Sequence, residues 1–369
     1  MATGTSSASA RRSRITSKPP SDLGAGQSAH RLLPKPPGQP RAVMAQKTND
    51  PKLTDYSVTD ALALIDRRFG KDRLLRDLST PTERLVTAYY LQSRWGYERY
   101  NPHAAMHMAL SDDGKYTHDG LRAQADTVIA EARKIGARRI LELGCGQAFN
   151  ARVIAEALPE VEVVATDLIE AHITKANERG AHLPNFRAVR SSFTELPDDL
   201  GQFDLIFAVE TLCHSPEIDA VIERIKARLA PGGTFMFHDA FRRTDWESKS
   251  DDLKEALVLN ELCLAVPHGY AVWGTWEDAL ARAGFTDVTT EDISMQGLGT
   301  CRRLGRVGLK FLTQWKYRLL RPFVPKHLAR NAVAGFLGIY IMYGGAADPA
   351  SENGITRYGL IRAVGPNAA

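Results

Sequence analysis

The chain has 369 residues, 44% of them hydrophobic, and a formal net charge of +4. That length and apolar content suffice for one large α/β core with additions, and so mild a charge makes no electrostatic case for a nucleic-acid partner. The four cysteines, Cys145, Cys213, Cys263 and Cys301, lack the paired spacing of a zinc site or a disulfide framework, so small buried thiols in a reducing compartment are expected.

Residues 1 to about 50 are rich in Ser, Ala, Pro and Arg, and Asp22 is nearly their only acid. Such a composition buries too little surface to fold, so a disordered tail is expected. Its Arg/Ser-rich, acid-poor character also fits a transit segment, although six prolines between Pro19 and Pro40 oppose a continuous amphipathic helix. A plain tail leaves the chain cytoplasmic; a transit segment sends it to an organelle matrix.

A helical cap is expected over residues 51–135. Val58, Leu62, Leu64, Ile65 and Phe69 recur at helical spacing between Tyr56 and Asp77, and a second helix runs from Thr82 to Arg94 after Pro81. Its end overlaps an aromatic run, Tyr89 to Tyr100, whose members either pack a core or line a pocket for a cation. His103 and His107 stand four apart, but no third ligand and no H-E-x-x-H pattern accompanies them, so no metal is expected. Gly120 to Ile135 reads as a helix leading into the next strand.

The informative stretch is Arg139 to Ala148. Ile140, Leu141 and Leu143 make a buried strand, Gly144 and Gly146 turn the chain, and Phe149 to Leu158 follows as a helix ending at Pro159. Strand, glycine turn and helix open a nucleotide-binding βαβ unit. A dinucleotide site wants G-x-G-x-x-G, and the third glycine position is Phe149; no Lys-Ser/Thr ending offers a phosphate cradle either. Glu142, two residues before Gly144, suits a cationic ligand better than a phosphate. The next strand, Val161 to Thr166, ends at Asp167, where a carboxylate either accepts from both hydroxyls of a ribose or caps the following helix.

These segments resemble the class I S-adenosylmethionine-dependent methyltransferases. Glu142-Leu143-Gly144-Cys145-Gly146 matches the first motif, Asp167 the second, and Phe203 to Glu210 and Leu229 to Phe235 the strand-four and strand-five regions. The likeness covers about residues 138–288 and a last strand near Thr356 to Ala363. It implies a Rossmann-like α/β sheet with helices on both faces, and S-adenosylmethionine as cofactor. The implied cofactor residues are Glu142, Gly144, Cys145, Gly146, Asp167, Leu168, Ser192 and Phe193. One departure stands out: Ser191-Ser192-Phe193 occupies a position before the adenine pocket that is often acidic in the family.

Ala208 to Glu217, with its Glu210-Thr211-Leu212-Cys213-His214 core, resembles the sterol C-methyltransferase branch and its lipid and prenylquinone relatives. Trp95-Gly96 and His107-Met108-Ala109 are similar to aromatic segments of that branch, at a longer separation. The resemblance implies a small lipophilic acceptor, with Tyr90, Trp95, Tyr97 and His107 around it. Glu210 and His214 are the candidate catalytic groups, Glu210 for a carbocation and His214 as the base for a hydroxyl or amine. The rivals are O- or N-methylation of a polar compound, a catalytically silent cofactor-binding subunit, and a nicotinamide oxidoreductase, which Phe149 disfavours.

After the core, placed at 136–294, comes an insertion, 295–354, before the last strand and tail, 355–369. Nine Arg and Lys residues from Arg302 to Arg330 alternate with aromatic and aliphatic ones, with no acid among them, and Ala332 to Tyr343 follows uncharged. That run is too short to cross a bilayer. Residues 302–343 therefore make either a peripheral membrane contact or a lid or dimer surface.

Overall fold

A computed structural model describes residues 51–75, 82–101, 105–320 and 323–367. The tail expected at 1–50, His103 and the Trp95 side chain lie outside the described residues.

The chain opens with helices α1 (Val58–Phe69), α2 (Lys71–Leu75), α3 (Thr82–Tyr100) and α4 (Ala123–Ile135). Ser57 and Asp60 form a reciprocal capping box on α1. Helix α3 continues six residues past the expected Arg94, straight through Gly96. A Cβ at Gly96 would lie 2.7 Å from Leu328 Cδ1, so the glycine serves close helix packing and not a break.

Alternation follows: β1 (Arg139–Leu143), α5 (Phe149–Ala157), β2 (Glu162–Asp167), α6 (Glu170–Gly180), β3 (Phe186–Arg190), β4 (Phe203–Val209), α7 (Ile218–Arg228), β5 (Leu229–Arg242). Then come α8 (Asp251–Cys263), α9 (Thr275–Arg282), β6 (Thr286–Asp292), α10 (Leu298–Thr313), α11 (Trp315–Leu320), α12 (Lys326–Tyr343) and β7 (Thr356–Val364). The sheet order is β3-β2-β1-β4-β5-β7-β6, with β7 antiparallel to both neighbours.

The sequence predicts a short fifth strand, Thr234–His238, and β5 exceeds it at both ends. Before it, Pro231-Gly232-Gly233 shifts the register against β4; beyond it, pairing with β7 carries the strand to Arg242, opposite Thr356. Side chains alternate between faces. Ile140, Val163 and Phe207 pack with α4, α5 and α6, whereas Leu141, Ile206 and Phe235 pack with α7 and α9. Order reverses between β1 and β4, so the crevice at their carboxyl ends is where this topology places ligands.

A further apolar cluster joins α1, α8, α10 and α12 to Tyr358 of β7. It bears on the choice left open for 302–343 between a membrane contact and a lid or dimer surface. Val333, Phe336, Leu337, Ile339, Tyr340 and Tyr343 of α12 are buried in this cluster, so the uncharged run faces protein. Hydropathy reads the same for either cover. No helix among the described residues is long and apolar enough to cross a membrane.

Candidate functional site

The site starts where β1 ends. Gly144 has φ +64°, and a Cβ there would collide with Thr211 Oγ1; Gly146 has φ +54°, and its Cβ would lie 2.9 Å from Met106 Sδ. Both positions therefore exclude other residues sterically as well as conformationally. Asp167, at the tip of β2, fastens the turn: Oδ2 accepts from Gly146 N at 2.8 Å. Its Oδ1 accepts from Ile169 N at 2.8 Å and meets His172 Nδ1 at 3.2 Å. Asp167 thus organises the turn after β2 and lines the cleft, while the N-cap position of α6 is Ile169, without a side-chain cap.

Glu142 faces the start of α5, which has no side-chain cap of its own. Its carboxyl accepts from Ala151 N at 3.1 Å and from Asn150 Nδ2 at 3.4 Å, satisfying a backbone donor that the first turn of α5 leaves without an intrahelical partner. Burial raises its pKa to about 8. Beyond β3, the Ser192 hydroxyl pairs with Thr194 Oγ1 at 2.7 Å and accepts from Thr194 N at 3.2 Å.

Glu210 follows β4 with φ +50°, an unusual backbone for a residue with a Cβ. The conformation turns its carboxylate into the interior, where Oε1 accepts from Met108 N at 2.8 Å and from the Tyr358 hydroxyl at 2.9 Å. Burial raises its pKa to about 7 against these two hydrogen bonds. His214 Nδ1 lies 3.2 Å from Ala265 O, and Nε2 lies 3.1 Å from the Tyr90 hydroxyl. A carbonyl only accepts, so Nδ1 carries the hydrogen and Nε2 accepts from Tyr90. Burial lowers the His214 pKa to about 4, keeping the ring neutral near pH 7. Asp239, on β5 one residue beyond its pairing with β4, accepts from Cys213 N and Ala240 N, and burial raises its pKa to about 6.

Two cavities result. A cleft of about 240 Å³ is lined by Glu142, Gly144, Cys145, Gly146, Asp167, Leu168, Ser192 and Phe193, together with Glu210 and His214. Its lining carries five acids, Glu83, Glu142, Asp167, Glu210 and Glu217, and no Lys or Arg among the described residues. A larger, mostly apolar cavity of about 440 Å³ is lined by Tyr90, Tyr97 and His107 of the expected pocket. Tyr90, Met106, His107, Glu210 and His214 line both, forming a shared wall.

The sequence reading missed Met106, Tyr270 and Tyr358, and took Cys213 for a buried thiol although it is half-exposed and lines the larger cavity. Tyr358 carries no local signal; only the antiparallel insertion of β7 beside β5 brings it to Glu210. Met106 and Met108 lie beside the resemblance to the His107 segment, the one hint available. Among the described residues no group of three or more His, Cys, Asp or Glu gathers as a metal site.

Residues 141–235 match the family described as "Methyltransferase domain". The chain is similar to sterol 24-C-methyltransferase of Kluyveromyces lactis, 27% identical over 158 residues that cover 42% of each chain. It is also similar to squalene methyltransferase 1 of Botryococcus braunii, 26% identical over 47% of this chain and 48% of that one. The chain thus spans about half the length of the curated relatives it matches. A cyclopropane synthase from Mycobacterium tuberculosis superposes with a TM-score of 0.61 over 78% of this chain and 99% of its own, at 16% identity, a likeness of fold. Residues 141–235 thus match a methyltransferase domain, within a sheet closed by an antiparallel seventh strand, in a chain similar to the sterol C-methyltransferases.

Proposed function

We propose that the chain methylates a lipophilic acceptor of the sterol, isoprenoid, quinone or fatty-acyl type, held in the larger cavity against a donor in the cleft. The observation that carries this reading is the chemistry of the two linings. Five acids without a Lys or Arg suit a cationic donor and oppose a pyrophosphate. The apolar space behind the shared wall suits an acceptor with little to hydrogen-bond.

The residues present fit S-adenosylmethionine. Gly144 and Gly146 line the cleft in the positive-φ turn after β1, Asp167 offers its carboxylate to a ribose, and Ser192 and Phe193 offer a hydroxyl and a ring to an adenine. Glu142 supports the loop through the start of α5. When bound, S-adenosylmethionine supplies an electrophilic methyl group on a positively charged sulfur.

The chain's own part is to align, shield and handle charge. Tyr90 and Tyr97 present ring faces with a centroid separation of 6.4 Å, which attract a cation without offering it a nucleophile. Glu210, with a pKa near neutrality, stabilises the positive charge left on the alkene carbon beside the newly methylated one and can take the proton that then leaves. Neutral His214 is the base for a hydroxyl or amine acceptor. The wall of tyrosines and carboxylates favours carbon methylation over that second reading. Peripheral contact with a membrane, through the exposed part of residues 302–343, belongs to the same proposal.

Incubating the full chain with labelled S-adenosylmethionine and a lipid extract, then identifying the labelled product, tests it. A labelled sterol, isoprenoid, quinone or acyl product is expected. Calorimetry showing NAD(H) bound and S-adenosylmethionine ignored would overturn it, and donor binding without any turnover would favour the silent subunit.

A further inference from the structure

Methyl transfer makes no use of the surface around α11. Trp315, Leu319, Leu320 and Phe323 are 75%, 65%, 53% and 84% exposed, more than any other large apolar side chain among the described residues. They fall within nine positions of one another, in a segment whose exposed charges, Arg306, Lys310, Lys316 and Lys326, are all basic. From Arg302 to Arg330 the chain has no acid. A soluble face normally mixes charge signs and disperses its apolar residues; this one does neither.

The ridge also communicates with the interior. Leu320 is exposed and lines the larger cavity, with Tyr317 and Val324 beside it. Helix α10 runs along that cavity, contributing Thr300 and Cys301, then Leu304, Val307 and Gly308, then Phe311. Cys301 lies close enough to Glu210 to feel its charge, so the start of α10 marks the reaction wall. Thr300 to Phe311 spans about 16 Å at helical rise. The cavity is therefore an elongated apolar passage, with carboxylates at one end and the exposed ridge at the other.

We propose that the ridge docks on an anionic bilayer, and that the acceptor slides from the bilayer past Leu320 along α10, its reactive end leading to Glu210. Exposed aromatic and leucine side chains flanked by Lys and Arg match the chemistry of an anionic interface, apolar below and negative at the surface. A protein seated on the same ridge would cover the opening, which is why the bilayer is the occupant the geometry favours. The acceptor's path rests on the methyl-transfer reading; the docking itself does not.

The test mixes the full chain with phosphatidylcholine vesicles, with and without phosphatidylglycerol, and follows co-sedimentation and quenching of tryptophan by brominated lipid. Expected are binding to the anionic vesicles, weakening with salt, and a quenched component that Trp315→Phe removes. The double variant Leu319→Glu/Phe323→Glu should bind anionic vesicles at least tenfold more weakly while binding S-adenosylmethionine within twofold of wild type, which also shows that it folds. Its turnover should fall at least tenfold on lipid extract incorporated in vesicles and stay within twofold on the same extract in detergent micelles. Wild type that ignores both vesicle types, or a double variant that sediments like wild type, would overturn the docking. Equal losses in vesicles and micelles would overturn the path. Wild type that sediments with anionic vesicles but binds no S-adenosylmethionine would uphold the docking and overturn methyl transfer instead.

Discussion

The cleft and the larger cavity share a wall, yet they are assembled in opposite ways. The cleft comes from the ends of neighbouring strands and the turns that follow them, so most of its residues fall in short runs: 142 to 150, 167 to 169, 191 to 194, 209 to 217. The cavity draws on α3, residues 106–109, α8, α10, α12 and β7, elements separated by up to 269 positions between Tyr89 and Tyr358. The first is constrained by backbone geometry, where a glycine or a strand-end acid cannot be moved. The second is constrained by volume and polarity, which many residue combinations satisfy. The contrast matches the comparisons, in which the family match covers residues 141–235 and stops short of most cavity elements.

Breaking the cleft should give the largest effect. Asp167→Ala removes the carboxylate proposed to hold the donor and frees Gly146 N and His172 as well. Losing two charge-assisted hydrogen bonds costs about 3 kcal/mol, so donor affinity measured by calorimetry should fall about 100-fold. Unchanged affinity would separate Asp167 from donor binding. The opposite experiment fills the cavity. Val307 lines it from α10 and is not part of the cleft lining, so Val307→Trp should cut turnover on lipid acceptors by about tenfold through lost volume. Donor affinity should stay within about twofold. If both fall together, the two spaces do not act separately.

How much was legible follows the same division. Gly144, Gly146 and Asp167 were readable because strand, turn and acid recur at fixed spacing, and the structure gathers all of them into one cleft. Ala332 to Tyr343 stayed open between two covers because a helix buried between α8 and α10 has the composition of one laid on lipid. The end of α3 fell six residues past Arg94, and sequence cannot show that Leu328 packs against Gly96 in that last stretch. Tyr358 was invisible: one tyrosine in a strand acquires meaning only when β7 is laid antiparallel beside β5.

The shared wall offers a finer test, through pH. Glu210 is raised to about 7 by burial, while the Tyr358 hydroxyl donates to it and so favours its ionised form. If the carboxylate acts ionised, kcat should rise with pH through about 7. Tyr358→Phe withdraws a donor from the charged form, which favours protonation and moves that rise to higher pH. A fall in kcat of about fivefold at pH 7, with donor affinity unaltered, is the expected size for one neutral donor. Glu210→Gln should abolish the rise itself. His214, lowered to about 4, should contribute no step between pH 5 and 8. A profile that ignores both substitutions would move the reacting charge away from Glu210.

The smallest expected effect lies at the one departure from the family pattern. Where an acid is common, Ser192 presents a hydroxyl already engaged with Thr194 Oγ1 and Thr194 N. That hydroxyl must share itself between its own turn and an adenine, so its removal costs the net value of about one neutral hydrogen bond, split between loop order and ligand. Ser192→Ala should therefore weaken donor binding about twofold and leave kcat unchanged. Phe193, which lines the cleft with a ring free of that competition, should cost more when truncated to Ala. If Ser192→Ala instead weakened the donor as much as Asp167→Ala, the serine would be replacing the missing acid in full, and the adenine end of the cleft would carry as much of the binding as the ribose end.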